Sequence, residues 1–90
     1  MKEIVIYSTE YCPFCVRAKQ LLKSKEVEYK EINVDTYPEQ KAVMIEKANG
    51  GRTVPQIFID NYHVGGCDDL YALDRQGKLD ELLETKQKGQ

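Results

Sequence analysis

Nowhere in the sequence do apolar residues run the length of a bilayer, and no basic stretch leads into an apolar one: the chain opens Met-Lys-Glu and passes straight into Ile-Val-Ile-Tyr. Neither a membrane anchor nor a secretory leader is expected, and the expected compartment is the cytoplasm. Charge of one sign is equally scarce. Thirteen Lys and Arg stand against fifteen Asp and Glu, a formal net charge of −2, so the basic excess through which nucleic acid is usually bound is missing. Repeats, linkers and low-complexity segments are absent as well. The 90 residues therefore read as one domain over residues 1–84, followed by a polar tail over residues 85–90. Cysteine occurs three times, an odd number that a secreted disulfide framework would not leave over, and this points to a reducing compartment and a working cysteine pair.

What is present is a regular alternation of short apolar runs and helical stripes. EIVIY, residues 3–7, is β-branched and almost wholly apolar, as in a strand buried on both faces. From Pro13 the period changes to about 3.6, with Cys15, Ala18, Leu21 and Leu22 on one stripe. VEYKEINVD, residues 27–35, reads as a second strand, and strand, helix and strand this close together imply a right-handed parallel crossover. Thr36 or Tyr37 then caps a helix whose apolar stripe is Ala42, Ile45 and Ala48 and whose left-handed exit is Asn49-Gly50-Gly51. PQIFID and YHVG form a hairpin around Asp60-Asn61, a helix opens at Gly66 to Asp69 and ends at Gly77, and LDELLE adds a last helical turn or two. The order βαβαββα predicts an α/β protein with a four-stranded mixed sheet flanked by helices.

TEYCPFCVRAK, residues 9–19, carries the chemistry. A zinc cage needs about four ligands, and only His63 and Cys67, split by Gly65-Gly66, remain to join Cys12 and Cys15. No metal is expected. A purely structural Cys12–Cys15 disulfide would close a loop of two residues and remove little unfolded-state entropy. Redox catalysis accounts for more. Cys12 falls at the helix N-cap with Pro13 as the first helical residue, facing unpaired N–H groups and the positive end of the helix dipole, which favour thiolate over thiol. Cys12 is thus the expected nucleophile. Cys15, one turn on and within disulfide range, is the expected resolving thiol.

Three blocks taken together, Cys12-Pro13-Phe14-Cys15, Thr53-Val54-Pro55 and Gly65-Gly66-Cys67-Asp68-Asp69, make the chain resemble the glutaredoxins, thioredoxin-fold oxidoreductases that use glutathione, and within them the small dithiol bacterial type. The resemblance covers nearly all of residues 3–84. From its residues alone, Pro55 is a proline opening a strand, where no ladder hydrogen bond is required of it. The resemblance implies that it is a cis-proline facing the cysteines, that the Val54 backbone pairs with the cysteinyl part of glutathione, and that Thr53 belongs to the same glutathione site. The Gly-Gly pair and the helix start after it could be ordinary capping or an anion site. The resemblance implies the second: Gly66, Cys67 and Asp68 would hold the γ-glutamyl end, with Asp68 paired to its ammonium.

The lysine usual three residues before the nucleophile in that family is replaced by Thr9, which leaves Arg52 either to supply the charge for the glycyl carboxylate or to stand as a solvated loop arginine. Phe14 replaces the commoner tyrosine and keeps the aromatic wall, with Tyr11 adding polarity beside it. Cys67 reads as a small helix-start residue, and His63 as a surface or half-buried strand residue without a catalytic role.

The implied activity is glutathione-dependent reduction of protein disulfides and of glutathione mixed disulfides, with glutathione as reductant. The implied partners are glutathione and disulfide-bonded or glutathionylated proteins, ribonucleotide reductase being one candidate, with the protein acting as a monomer. Two other roles remain open on the sequence. One is a redoxin reduced by thioredoxin reductase, against which the GGCDD block argues. The other is a carrier of an iron–sulfur cluster, against which Pro13 argues.

Overall fold

The strand that leads into the cysteines lies at the middle of the sheet, and its residue types explain why. In a computed structural model that describes residues 3–83, β1 (Ile4–Ser8) pairs in parallel with β2 (Lys30–Asn33) on one side and antiparallel with β3 (Gln56–Ile59) on the other. β4 (Tyr62–Gly65) closes the far edge, giving the order β2-β1-β3-β4. Alternate residues of a strand face opposite sides. Ile4 and Ile6 of β1, with Ile57 and Ile59 of β3, therefore form one apolar floor, and Tyr7 and Phe58 belong to the other.

Each floor is covered by helices. α1 (Pro13–Ser24) brings Ala18, Leu21 and Leu22 to the first, where α3 (Cys67–Arg75) adds Leu70 and α4 (Lys78–Leu83) adds Leu79 and Leu83. α2 (Glu39–Lys47) covers the second with Met44, joined by Val34 and Ala48. Across the helical layer, Tyr71 of α3 donates its hydroxyl to the carbonyl oxygen of Arg17 at 3.0 Å, and the Arg17 guanidinium lies over the Tyr71 ring. Lys25 pairs with both Asp74 and Asp80 at 2.6 and 3.1 Å, fastening the end of α1 to α3 and α4. Among the described residues no helix is long and apolar enough to cross a membrane.

The expected order of elements is the observed one, and the larger differences lie on the β2 and α2 side. β1 is shifted by one residue, Ile4–Ser8 rather than 3–7. The strand expected over 27–35 is only Lys30–Asn33. At its front, Val27 and Tyr29 pack on the α1 side of the core before pairing starts at Val5 and Lys30. At its end the Asn33 side-chain oxygen accepts the N–H groups of Asp35 and Thr36 at 2.8 and 3.0 Å, an Asx turn that ends the strand. That turn takes up Thr36, and the cap of α2 falls on Pro38, whose φ of −60° is already helical, instead of on Thr36 or Tyr37. The face of α2 that meets the sheet runs through Met44 and Ala48 with Ile45 beside it, while Ala42, two residues from Met44 and so about 200° round the helix, points to solvent. Asn49 and Gly50 take the expected left-handed exit, and Asp60 and Asn61 the expected hairpin turn, all with positive φ. The boundary between a folded part ending at residue 84 and a polar tail lies outside the described residues.

Candidate active site

Between the buried end of β1 and the start of α1 the chain turns so that Cys12 is extended, with φ −128° and ψ 105°, and Pro13 opens the helix. A proline at that position forgoes an N–H that the first turn could not pair in any case. The cap is the cysteine sulfur itself: Cys12 Sγ accepts the Cys15 N–H at 3.2 Å, while the Cys12 carbonyl accepts that of Val16 at 3.0 Å. The sulfur thus meets an N–H dipole at the positive end of the helix. Its side chain is partly exposed; Cys15 is 1 % exposed, and neither is in a disulfide. Burial, and secondly the neighbouring Cys12 sulfur, push the Cys15 thiol up to about 12. One sulfur is therefore accessible and accepts a helix N–H, and the other is buried and held back in its protonated form.

Beside them opens a cleft of about 320 Å³. Phe14, the Thr53-Val54-Pro55 segment and the start of α3 at Gly66, Cys67 and Asp68 line it, with Gly66 packed near the Pro55 carbonyl. The Val54–Pro55 peptide bond is cis, and the Val54 carbonyl oxygen stands 4.0 Å from Cys12 Sγ. Gly65 holds φ at +114°, a conformation glycine adopts freely, and a Cβ there would run into the Asp69 carboxylate. The Gly66 N–H donates to that carboxylate at 3.0 Å, which leaves the N–H groups that follow at the start of α3 without helical partners. Cys67 is buried, and its thiol is raised above the ordinary range chiefly by desolvation, with Arg17 acting in the opposite direction.

Seven of the glutathione-contact residues expected from sequence thus line one cleft: Phe14, Thr53, Val54, Pro55, Gly66, Cys67 and Asp68. Tyr11, 93 % exposed, and Arg52, also exposed, stand outside the lining. Four further lining residues are not among the expected glutathione contacts: Gly65 and Asp69, which belong to the block quoted above, and Gln56 and His63. Gln56 carried a signal, a polar side chain at the start of an otherwise apolar strand, yet it is 5 % exposed. His63 is half-buried, as read, with its ring stacked on Phe58, but it also faces the cleft. Among the described residues no three His, Cys, Asp or Glu side chains converge as a metal cage would require.

A sheet of this order with a cysteine pair at a helix start and a cis-proline segment against it defines a dithiol oxidoreductase of the thioredoxin fold. The comparisons narrow the class. Residues 4–64 match the family model described as Glutaredoxin. A glutaredoxin of Pseudomonas aeruginosa is 58 % identical over 85 residues, covering 94 % of this chain and 100 % of that protein. Glutaredoxin 3 of Escherichia coli is 54 % identical over 84 residues, 93 % and 100 % of the two chains. Among solved structures, a buckwheat glutaredoxin–glutathione complex superposes with a TM-score of 0.84 at 34 % identity, over 92 % of this chain and 77 % of that one. The chain belongs to the glutaredoxin family. Its activity is accordingly that of a glutathione-dependent thiol–disulfide oxidoreductase, with glutathione as the reductant.

Proposed function

We propose that Cys12 is the nucleophile and Cys15 the resolving thiol of that activity, acting on two kinds of substrate. With a glutathionylated protein, the Cys12 thiolate attacks the glutathione sulfur and the protein leaves as a thiolate. A second glutathione thiolate then attacks the Cys12 mixed disulfide, releasing oxidised glutathione and restoring the Cys12 thiolate. With a protein disulfide, Cys12 attacks one sulfur, Cys15 loses its proton and attacks Cys12 Sγ, and the substrate departs with both sulfurs reduced. Two glutathiones reduce the resulting Cys12–Cys15 bond. The observation that carries these roles is the contrast within one helical turn, a partly exposed sulfur capping the helix and a buried thiol raised to about 12 behind it.

Glutathione would lie with its cysteinyl backbone against Val54, between Thr53 and Pro55, and its γ-glutamyl end at the start of α3. There the N–H groups of Cys67 and Asp68 take the carboxylate, and the Asp68 side chain takes the ammonium, beside Gly66. Phe14 walls the sulfur. Arg52 and Tyr11 serve from the rim, Arg52 toward the glycyl carboxylate. The proposed setting is a monomeric, cytoplasmic single domain over residues 1–84 with residues 85–90 as a tail, and ribonucleotide reductase is a candidate substrate among disulfide-bonded proteins.

The test is NADPH oxidation coupled through glutathione reductase, with a small glutathione mixed disulfide as substrate, for wild type and Cys15→Ser side by side. Turnover in both supports the roles as assigned. Turnover confined to the wild type would show that Cys15 is needed for the glutathione route and would overturn them.

A further inference from the structure

Two polar side chains are buried among the described residues, Ser8 and Gln56, and only Gln56 lines the cleft. Its amide nitrogen donates to the Thr53 carbonyl at 3.0 Å and lies 3.4 Å from the Thr53 hydroxyl. With the nitrogen committed there, the amide oxygen faces His63, whose Nε2 stands 2.6 Å away and therefore carries the proton. The opposite amide orientation would set oxygen against the Thr53 carbonyl oxygen. His63 is in turn fixed from behind. Its ring stacks on Phe58 at 5.0 Å and 24°, and Phe58 meets Tyr7 edge-on at 5.8 Å and 84°. On the far side the loop closes over the amide, since a Cβ on Gly51 would come within 3.1 Å of Gln56 Nε2.

We infer that His63 is a positioning residue for glutathione: by donating to Gln56 it fixes the amide that holds Thr53, and so sets the Thr53-Val54-Pro55 backbone against the cleft. This rests on the reading that glutathione pairs with the Val54 backbone. The chain of bonds runs from a packed ring in β4, through a buried amide in β3, to a segment whose Val54 carbonyl is 4.0 Å from Cys12 Sγ. Each link is a side chain whose rotamer is held by packing or by a second bond, the condition for passing a fixed position on to a binding backbone. Without the His63 donor the Gln56 oxygen is left unpaired beside the cleft, and the amide is free to turn and release Thr53. His63 touches neither reacting sulfur, so its loss should weaken glutathione binding and leave the Cys12 nucleophile alone.

The experiment compares His63→Phe, which keeps a ring on Phe58 and removes the donor, with His63→Gln, whose amide N–H can reach the Nε2 position. KM for glutathione and kcat are measured with a small glutathione mixed disulfide, and the Cys12 thiolate is followed separately through its rate of alkylation by iodoacetamide without glutathione. KM should rise roughly fivefold in His63→Phe, the equivalent of one net hydrogen bond. The alkylation rate should stay at the wild-type value, and His63→Gln should return KM to near wild type. Gln56→Leu should raise KM as well, and the double variant should be no worse than Gln56→Leu, because the two side chains act as one unit. Should His63→Phe fail to fold, His63→Asn takes its place: its amide stops at the Nδ1 position, falls short of Gln56, and should raise KM to the same extent. An unchanged KM, an equal rise in His63→Gln, or a parallel fall in alkylation would each overturn the inference. A wild type without glutathione-dependent turnover would overturn the underlying reading first, a result visible before any variant is made.

Discussion

Two helices start at the same cleft, each with a cysteine in its opening turn, and they treat the sulfur in opposite ways. At α1 the cysteine is the cap: Cys12 Sγ itself accepts an N–H, a proline follows, and the first turn carries no acidic residue. At α3 the capping position is Gly66, the Asp69 carboxylate reaches back to its N–H, and Cys67 lies one step inside the helix, buried, with Asp68 and Asp69 beside it. The dipole of α1 is thus left to the sulfur. That of α3 is met by carboxylates, and the Cys67 thiol is raised by burial. A cysteine near a helix start is not reactive by address alone. What decides is whether its sulfur or another group takes the N–H, and whether water reaches it.

Removing Cys12 takes away the reactive one of the two helix-start sulfurs. Cys12→Ser should lower both deglutathionylation and disulfide reduction by about 10³-fold or more, since a serine hydroxyl is not ionised at neutral pH and forms no disulfide. Residual turnover above that level, traceable to Cys67, would erase the distinction between the two helix starts.

Next in size is the pH dependence of the resolving step. Because burial, the largest cause of the raised Cys15 thiol, persists when Cys12 is in a mixed disulfide, the Cys15 thiolate fraction at neutral pH is small and should rise about tenfold for each pH unit through the neutral range. Stopped-flow release of a thiol leaving group from a preformed Cys12 mixed disulfide, with no glutathione present, should show that slope. A rate flat between pH 6 and 9 would mean that the proton leaves Cys15 by another route.

The Asp69 carboxylate sharpens the α3 side. Asp69→Ala removes the acceptor of the Gly66 N–H and one charge complementing the dipole, and should cost about 1 kcal/mol, a fall of about 4–8 °C in Tm for a domain this size. Calorimetry on the reduced protein reads it directly. An unchanged Tm would show that solvent replaces the carboxylate without penalty.

How far the sequence carries toward this site follows from which contacts are local. Cys12, Pro13 and Cys15 lie in one turn, so their roles can be read from helix-start chemistry, and the order of strands and helices follows from alternating periods. The faces of α2 cannot be read in the same way. Ala42, Met44, Ile45 and Ala48 offer more than one apolar stripe, and only the sheet decides that Met44 goes inward. β2 is shortened by an Asx turn from Asn33, a side-chain bond that competes with the ladder and leaves no mark in hydrophobic pattern. Gln56 and His63 are seven residues apart and meet only because the hairpin register sets His63 against Phe58. Tyr11, next to Cys12 in sequence, has its ring 93 % exposed and outside the cleft lining, a placement that hydrophobic pattern does not reveal.

Cys67 should be the least sensitive of these positions. Cys67 contributes its backbone N–H to the proposed γ-glutamyl site, and its side chain packs with the α1 and α3 core. Cys67→Ser keeps that N–H and nearly the same volume, so turnover with a glutathione mixed disulfide should change by less than about twofold, the range of a surface or near-isosteric change. Stability should fall slightly, because a hydroxyl replaces a sulfur in a largely apolar setting. The same contrast appears in labelling of the wild type: brief treatment with iodoacetamide near pH 7, followed by peptide mass mapping, should modify Cys12 and leave Cys67 and Cys15 untouched, since both remaining thiols are buried and held protonated. Rapid labelling of Cys67 would mean that the start of α3 opens to solvent and supports a thiolate, and the cleft would then hold two competing nucleophiles rather than one.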